Sequence, residues 1–309
     1  MMNEIEQKDL DITFTGVFIY KKNHLVVTAV VDEYAEKNLD HTIMFYRTDN
    51  QWKHRLMDNS ISSVCFVEEP KLKILNMGVN GEITVATLPG VTTEQVDSSS
   101  EQGPSYSVLL RCIKKIGNHV YVAGMARRVY RRDAPEKWVA IDQDVFVPRE
   151  QRKSAIGFNC LDGFHEKSIY AVGYKGEIWV FSGKNWVQQE SPTNIVLTRV
   201  KCIPSGEVYI CGMAGIILRG SADRWIIIEQ DITKEDFWGI SYFQNQVYLS
   251  NYDGVFVLDD DDLIPVDMKL SSKVSTAYID ANEEVLWSVG EKDSVYTEDG
   301  NTWVVIENP

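Results

Sequence analysis

Short apolar runs rich in Val, Ile, Tyr and Trp alternate along the chain with breaks of Gly, Asp, Asn and Ser. No segment sustains a 3.6-residue hydrophobic period, so helices are not expected to build the core. Between 195 and 230 four runs follow in succession: IVLTRVKCI, EVYICGM, GIILRG and RWIIIEQ. Each has the length and the β-branched and aromatic content of a strand.

The runs recur in phase. VYVAG (120–124), IYAVG (169–173), VYICG (208–212), VYLSN (247–251) and LWSVG (286–290) align on Tyr121, Tyr170, Tyr209, Tyr248 and Trp287. The last three steps are 39 residues each, and the 49-residue step from Tyr121 to Tyr170 implies a ten-residue insertion. A second glycine follows three positions after the first at Gly176 and Gly215. The spacing returns at Asn251/Gly254 and Gly78/Gly81. A Trp opens a later run at Trp138, Trp186, Trp225 and Trp303, with Ile264 in the missing slot. Leu75, and HLVVTAV (24–30) with Trp52, extend the pattern backwards to seven copies of about 44 residues.

Four strands per repeat at a period near 40 is the pattern of a propeller blade. The expected fold is all-β, a single seven-bladed β-propeller over 1–309. Its blades fall at approximately 10–58, 59–90, 107–141, 156–189, 194–229, 235–268 and 273–308. The glycines, and Asn251, are expected at second-to-third-strand turns that need φ > 0. The Tyr and Trp markers are expected between blades, where each buries ~150–250 Å². The last copy holds all four strands, which predicts no strand exchange between the termini. Residues 1–10 remain as a possible edge strand.

The final copy ends YTEDGNTW (296–303), which resembles the Asp-box turn of bacterial neuraminidase repeats, one residue short between Asp299 and Gly300. RTDNQW (47–52) and FSGKNW (181–186) are looser echoes. Together with the G-x-x-G-x-I strings, the chain resembles the sialidase-like propellers, including the photosystem II assembly-factor and WD-repeat-like bacterial families. The resemblance covers nearly the whole chain and implies the fold. Sialidases carry a Phe/Tyr-Arg-Ile-Pro motif near the start; none is present, and CIPSGE (202–207) lacks the Arg. No catalytic residue is therefore carried over.

A net charge of −14 and a pI near 4.9 disfavour phosphate backbones and anionic membranes as partners, and favour a basic protein. The acidic start lacks a signal-peptide core, and no run of about 18 apolar residues is present, so a cytoplasmic protein is expected. The five cysteines (Cys65, Cys112, Cys160, Cys202, Cys211) include no Cys-x-x-Cys pair; buried free thiols are expected. His24, His41, His54, His119 and His165 have no metal-ligand spacing, and neither a nucleophile elbow nor a phosphate loop occurs. No cofactor and no metal are expected. The run Asp259–Asp262 reads as a solvated turn or a calcium loop. Arg127, Arg128, Arg131 and Arg132 read as an anion site or the solvent face of a strand.

Loop length points to a binding surface. The connections 32–41, 91–107 and 142–156 are expected to crowd one face over blades one to four. Candidate partner-binding residues are Tyr34, Glu36, Glu94, Asp97, Glu101, Tyr106, Arg127, Arg128, Phe146, Arg149, Arg152, Lys153 and Trp238. The function expected from these features is a non-enzymatic, protein-binding propeller. Its partner would be a basic effector or toxin domain, with an immunity protein that caps a secreted antibacterial toxin as the concrete form. An assembly or scaffold factor is one alternative. The other is an enzyme, a glycoside hydrolase or lyase, with its site in the central channel. There Arg111, Asn159, Asp162, Arg199, Lys201, Trp238 and Asp280 are expected to point inward.

Overall fold

A computed structural model describes residues 10–87, 90–98, 101–221 and 224–306. These form twenty-eight strands in seven four-stranded antiparallel sheets, each built from four consecutive strands. The sheets span 12–57, 61–95, 110–140, 158–189, 197–227, 239–265 and 278–305. Their first strands are β1 (Ile12–Lys21), β5 (Ile61–Glu68), β9 (Leu110–Ile116), β13 (Phe158–His165), β17 (Leu197–Cys202), β21 (Gly239–Phe243) and β25 (Tyr278–Ala281). Each touches the first strand of the next blade, and β25 returns to β1, so the seven line a central channel.

Register shows how the repeat builds the core. One aliphatic residue of each first strand occupies the same rung: Val17, Val64, Ile113, Leu161, Val200, Ile240 and Ile279. All seven are buried, forming an apolar belt around the channel wall. The marker aromatics Tyr121, Tyr170, Tyr209, Tyr248 and Trp287 are buried one rung away. Tyr170 meets Trp225 of the next blade edge-on at 6.0 Å between ring centroids. Such pairs add about 0.5–1.5 kcal/mol beyond the area they bury.

The two repeat glycines have different reasons. Gly176 has φ +69° and follows Lys175 at φ 60°, so the turn is left-handed there. Gly173 is not in that region; a Cβ on it would lie 1.9 Å from the carbonyl oxygen of Gly157, so its smallness lets the end of the second strand approach the entry to the first strand of the same blade. Asn251 likewise departs from the expectation of positive φ. Its Oδ1 accepts from the N–H groups of Asp253 and Gly254, so the side chain rather than the backbone shapes the turn.

Ring closure uses no shared sheet among the described residues, because blade one and blade seven each supply their own four strands. Ile19 N–H donates to Asp280 Oδ2 at 2.8 Å. The same latch recurs between blades four and five, where Cys202 N–H donates to Asp162 Oδ2. Trp52 of blade one packs edge-on against Trp287, which stacks on Tyr296, and the Arg47 guanidinium lies over all three rings. Most of the possible edge strand at 1–10 lies outside the described residues.

The structure corrects two expectations about irregular segments. The polar stretch 91–107 is not all loop: Val91–Gln95 is β8, the outer strand of blade two, because Val85 and Ile83 offer it a ladder. Arg128 and Arg132 lie neither on a solvent face nor in an anion site; both are buried and ion-paired between carboxylates. The Asp259–Asp262 run is a hairpin turn whose Asp261 pairs with Arg219. No group of three or more metal-ligating side chains occurs among the described residues.

Candidate binding surface

Antiparallel order places the connections between blades and the second-to-third-strand turns on one face of the ring. The remaining hairpin turns lie on the other. The connections between blades include 96–109, 141–157, 228–238 and 266–277, whereas among the described residues the opposite face carries short hairpins such as Lys22–Asn23 and Gln244–Asn245. Exposed apolar side chains follow the same division. Large exposed hydrophobics among the described residues either sit on the outermost strands or belong to the loop face: Leu39, Tyr106, Leu109, Ile232 and Tyr252. Tyr106 is 66% exposed. Exposed apolar groups gathered on one face of a monomer mark an interaction surface.

The sequence-derived candidates divide into a framework and a surface. Arg127, with φ 57°, turns out of the blade-three turn to grip Glu177 of blade four through two bonds of 2.7 Å, its guanidinium over Trp179. Arg128 is buried, donating to Asp97 and Tyr130 and pairing with Asp142. Its guanidinium also lies 4.3 Å from the ring centre of Phe146. Arg152 ties the same loop down through the carbonyls of Val147 and Ser107. Glu94 is buried on β8 against Arg132 and Trp138, so it cannot meet a partner. Tyr34, on the short helix α1 (Asp32–Glu36), packs edge-on against His41. These residues shape the loops. Glu36, Glu101, Tyr106, Arg149 and Lys153 are the exposed members. Trp238 sits apart from them and lines the channel.

Burial governs the electrostatics of this framework. It pushes the Asp142 carboxyl up to about 6, against the pull of Arg128 and of the Val129 N–H. The Tyr130 hydroxyl is raised by burial and by its bond to Asp97.

Sequence reasoning passed over Leu39, Leu109, Ile232 and Tyr252, and with them the far side of the face. The 228–238 connection carries Glu229, Asp231, Glu235 and Asp236 against Lys234, with Ile232 exposed among them. Asp253 adds a carboxylate beside Tyr252. The signal was present in the length of that connection, matching those over blades one to four. In the channel, Arg111, Asn159, Arg199, Lys201, Trp238 and Asp280 line the cavity as expected, while Asp162 is buried behind it.

Across almost the whole chain this architecture has a close counterpart. The immune protein Tsi7 of Pseudomonas aeruginosa is 34% identical over 299 residues, covering 95% of this chain and 96% of Tsi7. The chain belongs to the Tsi7 immune-protein family. No family model matches it. Among solved structures, YCF48 bound to a D1 peptide aligns with a TM-score of 0.65 at 14% identity, covering 92% of this chain and 90% of that one. YCF48 from Cyanidioschyzon merolae gives 0.65 at 9%, covering 91% and 94%. The WD40 propeller domain of Doa1 gives 0.62 at 12%, covering 98% and 95%. At these identities the last three show that this chain shares the propeller fold. Membership of a sialidase-like family does not follow from them.

Proposed function

We propose that this chain is a non-enzymatic immunity protein that neutralises a toxin by capping it with the loop face, inside the cytoplasm of the cell that makes it. The observation that carries the reading is the end-to-end relationship to an immune protein. The gathering of exposed apolar side chains on one face supports the mode of action. The acidic 228–238 connection and the net charge of −14 suit a basic partner, whose encounter such a surface would speed. A rigid scaffold lets long loops carry recognition without a catalytic centre.

The test is a competition assay in the source bacterium. A strain lacking this protein should be inhibited by its wild-type siblings and rescued by the intact gene. Rescue should fail for Ile232→Arg with Tyr252→Asp, and persist for Lys184→Glu on the opposite face. Unimpaired growth of the deleted strain beside toxin-delivering siblings would sink the proposal. Rescue by the loop-face double variant would move the cap to another surface.

A further inference from the structure

The central channel has the opposite electrostatic character from the protein around it. It is a water-accessible cavity of about 270 Å³ lined by all seven first strands. Its charged lining residues are Arg111, Lys114, Lys115, Arg199 and Lys201, against Asp280 alone. Those five cations converge in a chain whose net charge is −14. Among the described residues none of the five forms an ion pair within 4 Å, unlike the arginines of blade three. Arg199 spends one Nη1–H on the carbonyl of its neighbour Thr198. Asp280 is partly engaged by the Ile19 N–H, and Asp162, behind the wall, by the Cys202 N–H. Both carboxylates act on Lys114, and five cations against two carboxylates leave the channel positively charged.

Like charges held in one narrow, low-dielectric space repel each other, and the walls focus their field on the cavity. A fold that needed only a filled channel would place apolar or paired groups there. The neutral neighbours are also polar: Tyr278, with a hydroxyl, Trp238, whose indole Nε1–H is buried without a partner, and Asn159, whose amide already spends one N–H on the carbonyl of Leu197. These are donors, as an oxyanion requires. We propose that the channel is a binding site for a small multivalent oxyanion of the phosphate class, held by Arg111, Arg199 and Lys201. The channel has room for an anion the size of orthophosphate or pyrophosphate. Divalent cations are repelled by the same field.

This site is independent of toxin capping, because Arg111, Arg199 and Lys201, which hold the anion, lie on the first strands and not on the loop tips; its failure would leave the immunity reading intact. The test is titration calorimetry of the purified chain with sodium orthophosphate and pyrophosphate at low ionic strength, with thermal midpoints measured in parallel. Pyrophosphate should bind about tenfold more tightly than orthophosphate, and both affinities should fall with added salt. Arg199→Gln and Lys201→Gln should each weaken pyrophosphate about tenfold, whereas Lys184→Gln, on an exposed turn, should leave it unchanged. Without anion the two channel variants should melt at or above the parent, since each removes a repelling charge, and their midpoints should respond less to pyrophosphate. Absence of heat and of any midpoint shift at about 10 mM pyrophosphate, or binding that survives both substitutions, overturns the proposal.

Discussion

Two seams between neighbouring blades are held together by different physics. Between blades two and three, Arg132 sits 2% exposed with bonds of 2.6 and 2.8 Å to Glu94 and of 2.9 Å to Glu69, and Trp138 donates to the same Glu94. Between blades four and five no ion pair occurs among the described residues. Leu161, Ile169, Val200, Ile210, Leu218 and Trp225 form one continuous apolar cluster there. The second seam lies where the 39-residue phase holds. The first lies next to the segments that break the phase, at 96–109 and 141–157. Apolar packing tolerates small slips, whereas a bidentate guanidinium fixes one alignment. The ionic seam therefore specifies how irregular loops are docked, and the apolar seam supplies adhesion.

The sharpest way to break this contrast is Arg132→Ala. It strands Glu94 without a counter-charge in a buried site and should cost about 3–5 kcal/mol in chemical denaturation. The double change Arg132→Met with Glu94→Leu removes both charges and fills the space. If the seam sets alignment more than stability, it should recover most of that loss while loosening the 96–109 loop in hydrogen exchange. A double variant as unstable as the single one would show that the ion pair itself supplies the strength.

The same ionic region should respond to pH. The Asp142 carboxyl is held near 6 because burial outweighs Arg128, above the ordinary value of about 3.9. The folded state therefore takes up this proton more readily than the unfolded chain. Between about pH 6 and pH 4 the group makes the protein more stable as pH falls, on the order of 2 kcal/mol across the window. Asp142→Asn should flatten that stretch of the stability curve; an unchanged slope would assign it to other groups.

How far this contrast was legible in the sequence follows from range. Tyr170 and Trp225 announce themselves because the repeat places each in phase, so the apolar seam and the seven-fold ring could be read directly. The pairing of Arg132 with Glu94 could not, since 38 residues and a blade boundary separate them. Glu94 also sits in a polar stretch, VTTEQVDSSS, that looks like loop. Its strand exists because a neighbouring ladder receives it. The exposed apolar groups Ile232 and Tyr252 were equally silent, because only the fold distinguishes an exposed Ile from a core one. The basic channel was half visible: Arg111, Arg199 and Lys201 were candidates, while Lys114 and Lys115 passed as strand residues.

On the apolar side a milder probe is Trp225→Phe. It keeps an aromatic ring against Tyr170 but gives up area and the edge-on contact, and should cost about 1–2 kcal/mol in denaturant. Added salt should leave the loss unchanged, since no charge is involved. A salt-dependent loss would mean that the seam carries an electrostatic contribution the geometry does not show.

The smallest expected effect comes from a carboxylate of the opposite kind, exposed and unburdened by desolvation. Asp299 heads the turn that resembles an Asp-box: its Oδ1 accepts from the N–H groups of Asn301 and Thr302, and its Oδ2 from the Thr302 hydroxyl. Those backbone donors pull it down to about 2. The sign is therefore the reverse of Asp142. Its contribution is complete above about pH 4 and disappears as pH falls through 2. Asp299→Asn should lower the thermal midpoint slightly at neutral pH and remove that acid dependence, while leaving the interval between pH 4 and 6 to Asp142. If the Asn variant instead changed the pH 4–6 slope, the two carboxylates would be coupled across the ring. The division into a buried Asp142 that titrates near 6 and an exposed Asp299 that titrates near 2 would then fail.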